Sequence, residues 1–256
     1  MEAAVAQQLI ALNREFYQTH AEAFSATRGR LQPGLLRLLR TLAGIDLEGH
    51  VESSVRNTLA PARILDLGCG NGGVAAHLAA SGHQGGYVGL DFSEGLLQAA
   101  RQRLAAHPGY PAEFVPADLS GAWAAGLEGR FDVVLAMAVL HHIPGRELQL
   151  AFLRQVCSVM KAGGHFIHSN WQFMRSPKLA ARVQSWAAAG LHESQLDPGD
   201  YLLDWRSGGS GLRYVHQFSE HELAELAVDA GFSVAETFYS DGRTGDLSLY
   251  SVWQLA

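Results

Sequence analysis

Asp66-Leu67-Gly68-Cys69-Gly70-Asn71-Gly72-Gly73 is the stretch on which the fold turns. A short apolar run over residues 63–67 leads straight into it and reads as a strand, and the spacing after it predicts a helix over 73–80. Glycines at such a strand-to-helix turn let the backbone approach a ligand where a Cβ would collide, so a nucleotide-type ligand is expected. The stretch also satisfies G-x-G-x-x-G from Gly68 to Gly73, a pattern that nicotinamide and flavin sites use as well.

Moving outward, short apolar runs at 87–90, 112–115, 131–136 and 165–168 alternate with helical segments at 95–106 and 147–159. Such alternation predicts an α/β fold with a mostly parallel sheet. Residues 173–216 are richer in Gly, Ser and Trp, with a helix predicted over 177–189, and read as an insertion over the strand ends, where selectivity is commonly carried. Ser219 followed by Glu222 has the spacing of a capping box for the last helix, and runs at 232–239 and 247–254 close the chain as a hairpin. Upstream, Leu9, Leu12 and Phe16, then Leu35, Leu38, Leu39 and Leu42, recur at helical intervals. They predict an N-terminal helical cap over 1–60 ahead of a core domain over 61–256.

Three carboxylates follow the strands. Asp91 ends the second one in Val88-Gly89-Leu90-Asp91-Phe92-Ser93, where a carboxylate accepts from both hydroxyls of a ribose in either kind of site. Asp66 stands two positions before Gly68, and Asp118 follows the third strand in Val115-Pro116-Ala117-Asp118-Leu119. No tyrosine has a lysine four residues later, so the common signature of short-chain dehydrogenases is missing. With its acids in this order, the chain resembles the class I S-adenosylmethionine-dependent methyltransferases. The resemblance implies a Rossmann-like, mostly parallel seven-stranded sheet with helices on both faces, ending in a hairpin. It also implies S-adenosyl-L-methionine as cofactor, with Asp66 toward its ammonium, Asp91 on the ribose and Asp118 on the adenine amino group. Gly68, Gly70, Asn71, Phe92, Leu119 and Ala136 would complete that site.

Cys69 and Cys157 are too few and too far apart for a disulfide framework or a zinc knuckle, so neither a disulfide nor a metal is expected. Cys69 reads as a small packing residue, which disfavours covalent attack on a pyrimidine. The run Ala136-Met137-Ala138-Val139-Leu140-His141-His142-Ile143-Pro144 lacks the Asn/Asp-Pro-Pro-Tyr pattern used on planar amines, so DNA is not an expected partner. A net charge of −6 opposes wholesale nucleic-acid binding, although Arg28, Arg30, Arg37 and Arg40 cluster locally. No membrane span or secretory signal is visible, and a cytoplasmic monomer or homodimer is expected.

A second, narrower resemblance is to the tRNA wobble-uridine carboxymethyl methyltransferases. It is carried by Phe16-Tyr17, Phe24 and Arg28, by His141-His142-Ile143, by Trp205, and by Arg213-Tyr214-x-His216-x-Phe218 leading through Glu222-Leu223 to Ala230-Gly231-Phe232. It implies tRNA as partner, Tyr17 and Arg28 closing over the methionine end of the cofactor, and His141, Tyr214 and His216 facing the acceptor. A carboxylate acceptor is ionised at neutral pH, needs no base, and suits a bidentate contact from Arg28 or Arg213. A small-molecule phenol or enol is the alternative, and it would need His142 or His216 to take its proton.

Overall fold

The computed structural model describes residues 1–26, 29–42, 61–206 and 210–255. Two helices come first, α1 (Ala3–Ala26) and α2 (Pro33–Leu42). The alternating core follows: β1 (Ile64–Leu67), α3 (Gly73–Ala80), β2 (Tyr87–Asp91), α4 (Glu94–Leu104), β3 (Ala112–Pro116), β4 (Phe131–Met137), α5 (Arg146–Val159) and β5 (Met160–Trp171). Next come α6 (Pro177–Ala180), β6 (Val183–Gln184), β7 (Asp200–Trp205) and β8 (Gly211–His216), and the chain closes with α7 (Glu220–Ala230), β9 (Phe232–Ser240) and β10 (Ser248–Leu255).

The main sheet has seven strands in the order β3-β2-β1-β4-β5-β10-β9. Its first five strands run parallel, with β1 paired to both β2 and β4, and β10 is antiparallel to β5 and β9. This is the Rossmann-like sheet with a closing hairpin that the sequence predicted. Every residue of β1 and β2 is buried, as central strands covered on both faces must be. One face packs Phe152, Phe166, Leu226 and Trp253 beneath α5 and α7, and the other packs Leu39, Leu78, Tyr87 and Leu97 beneath α2, α3 and α4. Because the strands are parallel, the loops after β1, β2, β3 and β4 converge on one edge of the sheet.

Ser93 caps α4 by accepting from the Leu96 N–H at 3.4 Å. The capping box expected at α7 forms only in half. Ser219 accepts from the Glu222 N–H at 3.2 Å, but the Glu222 carboxylate lies 2.9 Å from His216 Nε2 instead of turning back to the backbone.

The insertion departs from its expected helix. Only α6 is helical, while Val183–Gln184 joins β7 and β8 in a three-stranded antiparallel sheet. The alanine-rich stretch that suggested a longer helix is a single 3-10 turn, Trp186–Ala189, closed by Gly190. Pairing with Leu202 and Leu203 outweighs local helix propensity here.

Candidate active site

At the end of β1 the chain bends so that the Gly68 and Cys69 N–H groups both donate to Leu90 O, at 2.8 and 2.9 Å. Gly68 has φ 71°, and a Cβ there would stand 2.6 Å from Val139 Cγ2. Asp91 braces the turn: its Oδ2 accepts from Gly70 N at 3.0 Å and its Oδ1 from Ser93 N at 2.9 Å. Burial raises the Asp91 pKa, and those backbone donors work against the rise. Asp66 lies deeper. Burial pushes its carboxyl up to about 7, with Asp91 adding to the shift and the Tyr87 hydroxyl, donating at 2.6 Å, opposing it.

Asp118 stands at the rim. Its Oδ1 accepts from the Ser120 N–H at 3.0 Å and the Ser120 hydroxyl at 2.6 Å, and its Oδ2 pairs with Arg14 of α1. Burial alone would raise its pKa, but Ser120 and Arg14 outweigh that and hold it below the ordinary carboxylate value. A cavity of about 450 Å³ gathers Asp66, Gly68, Gly70, Asn71, Asp91, Phe92, Asp118 and Leu119. Ala136 is not among its walls: it is fully buried in the core on β4, and its neighbours Met137 and Ala138 face the cavity instead.

The same cavity continues to Tyr17, His141, His142, Trp171 and Arg213. His141 accepts from the Trp171 N–H through Nδ1 at 3.4 Å. His142 Nε2 lies 2.7 Å from the Tyr17 hydroxyl, and its Nδ1 lies 3.0 Å from Tyr214 O. Arg213 is buried, with its guanidinium 4.5 Å over the Trp171 ring and 5.4 Å from both Phe16 and Trp205. Trp205, expected either to stack on an acceptor or to plug the core, forms one wall of this aromatic box and meets Phe16 edge-on at 5.7 Å.

Tyr214 and His216 do not reach the cavity, contrary to the expectation that they face the acceptor. Successive residues of a strand point to opposite faces, so on β8 Tyr214 and His216 share one face and Arg213 has the other. The Tyr214 hydroxyl donates to Asp200 at 2.8 Å, and His216 sits between Asp200 at 2.7 Å and Glu222 at 2.9 Å. What the cavity side uses of Tyr214 is its backbone carbonyl. Arg28, expected over the cofactor, lies outside the described residues, as does the Phe24 side chain.

Three residues that the sequence reading passed over belong to the site. Asn13 is buried on α1 and pairs with the Tyr214 backbone on both sides, accepting from its N–H at 2.8 Å and donating to its carbonyl at 3.1 Å. Arg14, the next residue, binds Asp118. Asp241, in the final hairpin at φ 70°, accepts from Gly34 N at 3.0 Å and from the Tyr250 hydroxyl at 2.8 Å. It thereby holds the first turn of α2, whose Gly34 has no room for a Cβ against the Tyr250 ring, 2.3 Å away. A polar residue among the apolar positions of α1 was the only sign of Asn13, and it does not say which strand the amide meets.

Comparison with known proteins places these features. Residues 64–164 match a family model described as a methyltransferase domain. A protein of Encephalitozoon cuniculi named as a methyltransferase is 30% identical over 241 residues, 93% of this chain and 92% of that one. A ubiquinone biosynthesis O-methyltransferase of a Methylobacterium species is 31% identical over 184 residues, 70% of this chain and 63% of that protein. Among solved structures, magnesium protoporphyrin IX methyltransferase of Synechocystis, with S-adenosylmethionine bound, superposes over 100% of both chains with a TM-score of 0.60 at 19% identity. At that identity the likeness is one of fold.

Proposed function

The chain belongs to the S-adenosylmethionine-dependent methyltransferases, and from that premise we propose that it methylates an oxygen of a small acidic molecule whose negative group sits at Arg213. The residues present fit the cofactor. Its ammonium, ribose hydroxyls and adenine amine are donors, and the cavity offers Asp66, Asp91 and Asp118 as acceptors beside a turn that a Cβ at Gly68 would obstruct. When bound, the cofactor supplies a methyl group activated by a sulfonium. The chain's own part is to hold the acceptor in line and keep competing water away.

The observation that carries the reading is Arg213. A guanidinium that keeps its charge at every physiological pH lines the cavity from within a box of Phe16, Trp171 and Trp205. A cation removed from water in this way favours an anionic group, and the aromatic walls favour a flat, apolar body. The names of relatives in ubiquinone biosynthesis agree with an oxygen acceptor. A carboxylate on a modified tRNA wobble uridine offers Arg213 the same group and is the second reading. The net charge of −6 weighs against it, because a polynucleotide brings many phosphates with its one base.

Labelled methyl transfer to an acidic metabolite fraction and to bulk tRNA, run in parallel, tests the choice. Label in the small acids, lost in Arg213→Ala through a raised KM, is the expected result. Alkali-labile label confined to tRNA would replace the reading with the wobble-uridine one.

A further inference from the structure

We propose that Ser169 selects the acceptor: its hydroxyl donates to an oxygen of the acid that Arg213 anchors, so the molecule taken carries a hydrogen-bond-accepting oxygen besides its acidic group. This role rests on the small-acid reading above and adds a second chemical feature to the substrate it describes.

The pairing of β5 with β10 builds the floor on which the two contacts lie. Ser169 stands opposite Tyr250 and Trp171 opposite Ser248, and all four line the cavity. The Arg213 guanidinium lies 4.5 Å over the Trp171 ring. Ser169 precedes Trp171 by two residues on the same face, about 7 Å along the strand at ~3.4 Å per residue. That is close to the span from the carboxylate of a benzoate to a substituent across its ring. One flat acid can therefore meet Arg213 with its anion and Ser169 with its far end.

The Ser169 side chain is buried, and its Oγ accepts from the Ala138 N–H at 3.1 Å, beside the Ser169 carbonyl, which accepts from the same N–H at 3.0 Å. A hydroxyl that accepts in one direction carries its proton in another, and among the described residues no group takes that proton. Asp241, the carboxylate at this end of the cavity, is engaged by the Gly34 N–H and the Tyr250 hydroxyl instead. Ser248 is only half buried, so its hydroxyl can turn to solvent, whereas Ser169 has the cavity alone. The donor is also held in place. Ala138 has φ 59°, a left-handed conformation that a residue with a Cβ adopts at a cost, and the double contact with Ser169 fixes both partners.

A buried donor left without an acceptor is unfavourable, which turns Ser169 into a filter. Water can serve the hydroxyl. An acid that displaces this water and offers an oxygen keeps the bond, and an acid of the same shape without that oxygen forfeits it.

The test compares two acids of one shape: 4-acetylbenzoate, whose ketone oxygen only accepts, and 4-isopropenylbenzoate, in which a CH₂ group replaces that oxygen. Calorimetry in the presence of S-adenosylhomocysteine reads their affinities without turnover. Wild type is expected to bind the acetyl acid about tenfold more tightly. Ser169→Ala, shown to be folded by cooperative melting, should lose that preference by weakening the acetyl acid alone, and Ser169→Thr should keep it. A merely structural role would weaken both acids together. Ser169→Ala is therefore repeated with Ala138→Gly, which adopts the left-handed turn without strain, and the preference should stay lost. Equal wild-type affinities, a preference that survives in Ser169→Ala, or one regained with Ala138→Gly would overturn the role of Ser169 and leave the small-acid reading intact. Wild type that binds neither acid and labels tRNA would overturn the small-acid reading itself, and the role of Ser169 with it.

Discussion

Replacing Asn13 by alanine should loosen α1 without unfolding the sheet. The amide satisfies the Tyr214 N–H at 2.8 Å and donates to the Tyr214 carbonyl at 3.1 Å in the buried seam between α1 and β8, and to the His142 carbonyl, in the turn after β4, at 3.4 Å. Alanine leaves the Tyr214 N–H buried and unpaired, at about 1–3 kcal/mol, and removes the donated bonds at about 1 kcal/mol together. The Tyr214 carbonyl keeps His142 as a donor, so its loss is partial. The docking of α1 then weakens by roughly 2–4 kcal/mol, a roughly 30- to 700-fold rise in its opening equilibrium at about 1.4 kcal/mol per decade. Hydrogen exchange of the α1 amides reads that factor directly, with the amides of β1, β4 and β5 as internal reference. Asn13→Asp keeps the shape but sets an oxygen against two carbonyls, and should loosen α1 at least as much. Exchange of α1 within threefold of wild type in Asn13→Ala would refute the assignment of this amide as the pin.

Burial alone would lower the His216 pKa, but its bonds to Asp200 and Glu222 push it up to about 9. A raised folded-state value means stability that is complete below the unfolded value of about 6.5 and lost as pH climbs through 9. Urea unfolding should therefore show about 3 kcal/mol less stability at the alkaline end of that window, and His216→Gln should flatten the decline; an unchanged slope in the variant would remove His216 as its source. Asp66, raised by burial to about 7, destabilises the cofactor-free protein as pH rises to that value, and an ammonium bound beside it, as proposed above, would relieve the strain. The melting shift produced by S-adenosylmethionine should be larger at about pH 7.5, where the carboxylate and an α-ammonium are both substantially charged, than at about pH 5.5, and Asp66→Asn should abolish the difference. Burial also pushes both the Cys69 and the Cys157 thiols up. Neither should react with Ellman's reagent in the native protein while both do so in strong denaturant, and rapid native labelling of Cys69 would contradict its packing role.

That the glycine turn and its three carboxylates share one cavity was legible in the sequence, because their meeting depends on short-range rules. The glycine turn, Asp66, Asp91 and Asp118 each sit within a few residues of a strand end, and parallel strands bring their ends together without further instruction. Ala136 failed by one step of the strand alternation, since the cavity begins at Met137. The Arg213 side of the cavity depends on pairings that sequence spacing does not encode. Residues 211–216 were read as a motif and not as a strand, and only a strand separates Arg213 from Tyr214 and His216 by face. Likewise Glu222, placed in a cap by its spacing from Ser219, turns instead to His216 at the end of β8, 2.9 Å away.

One turn of α1 links the two halves, and its contacts are unequal. Arg14 reaches Asp118 at one rim of the cavity, while Asn13 and Tyr17 reach Tyr214 and His142 on the Arg213 side. The Arg14–Asp118 pair is half exposed, with side chains 48% and 42% accessible, so solvent screening leaves it a small share of the docking energy. Asn13 is 7% exposed, so solvent screens its bonds little. Arg14→Ala should thus leave exchange of α1 nearly unchanged while shifting the salt dependence of cofactor binding, because it removes a charge from beside Asp118. Asn13→Ala should do the reverse. If instead Arg14→Ala frees the helix as fully as Asn13→Ala does, the closure of this site is electrostatic, and the buried amide is a passenger on it.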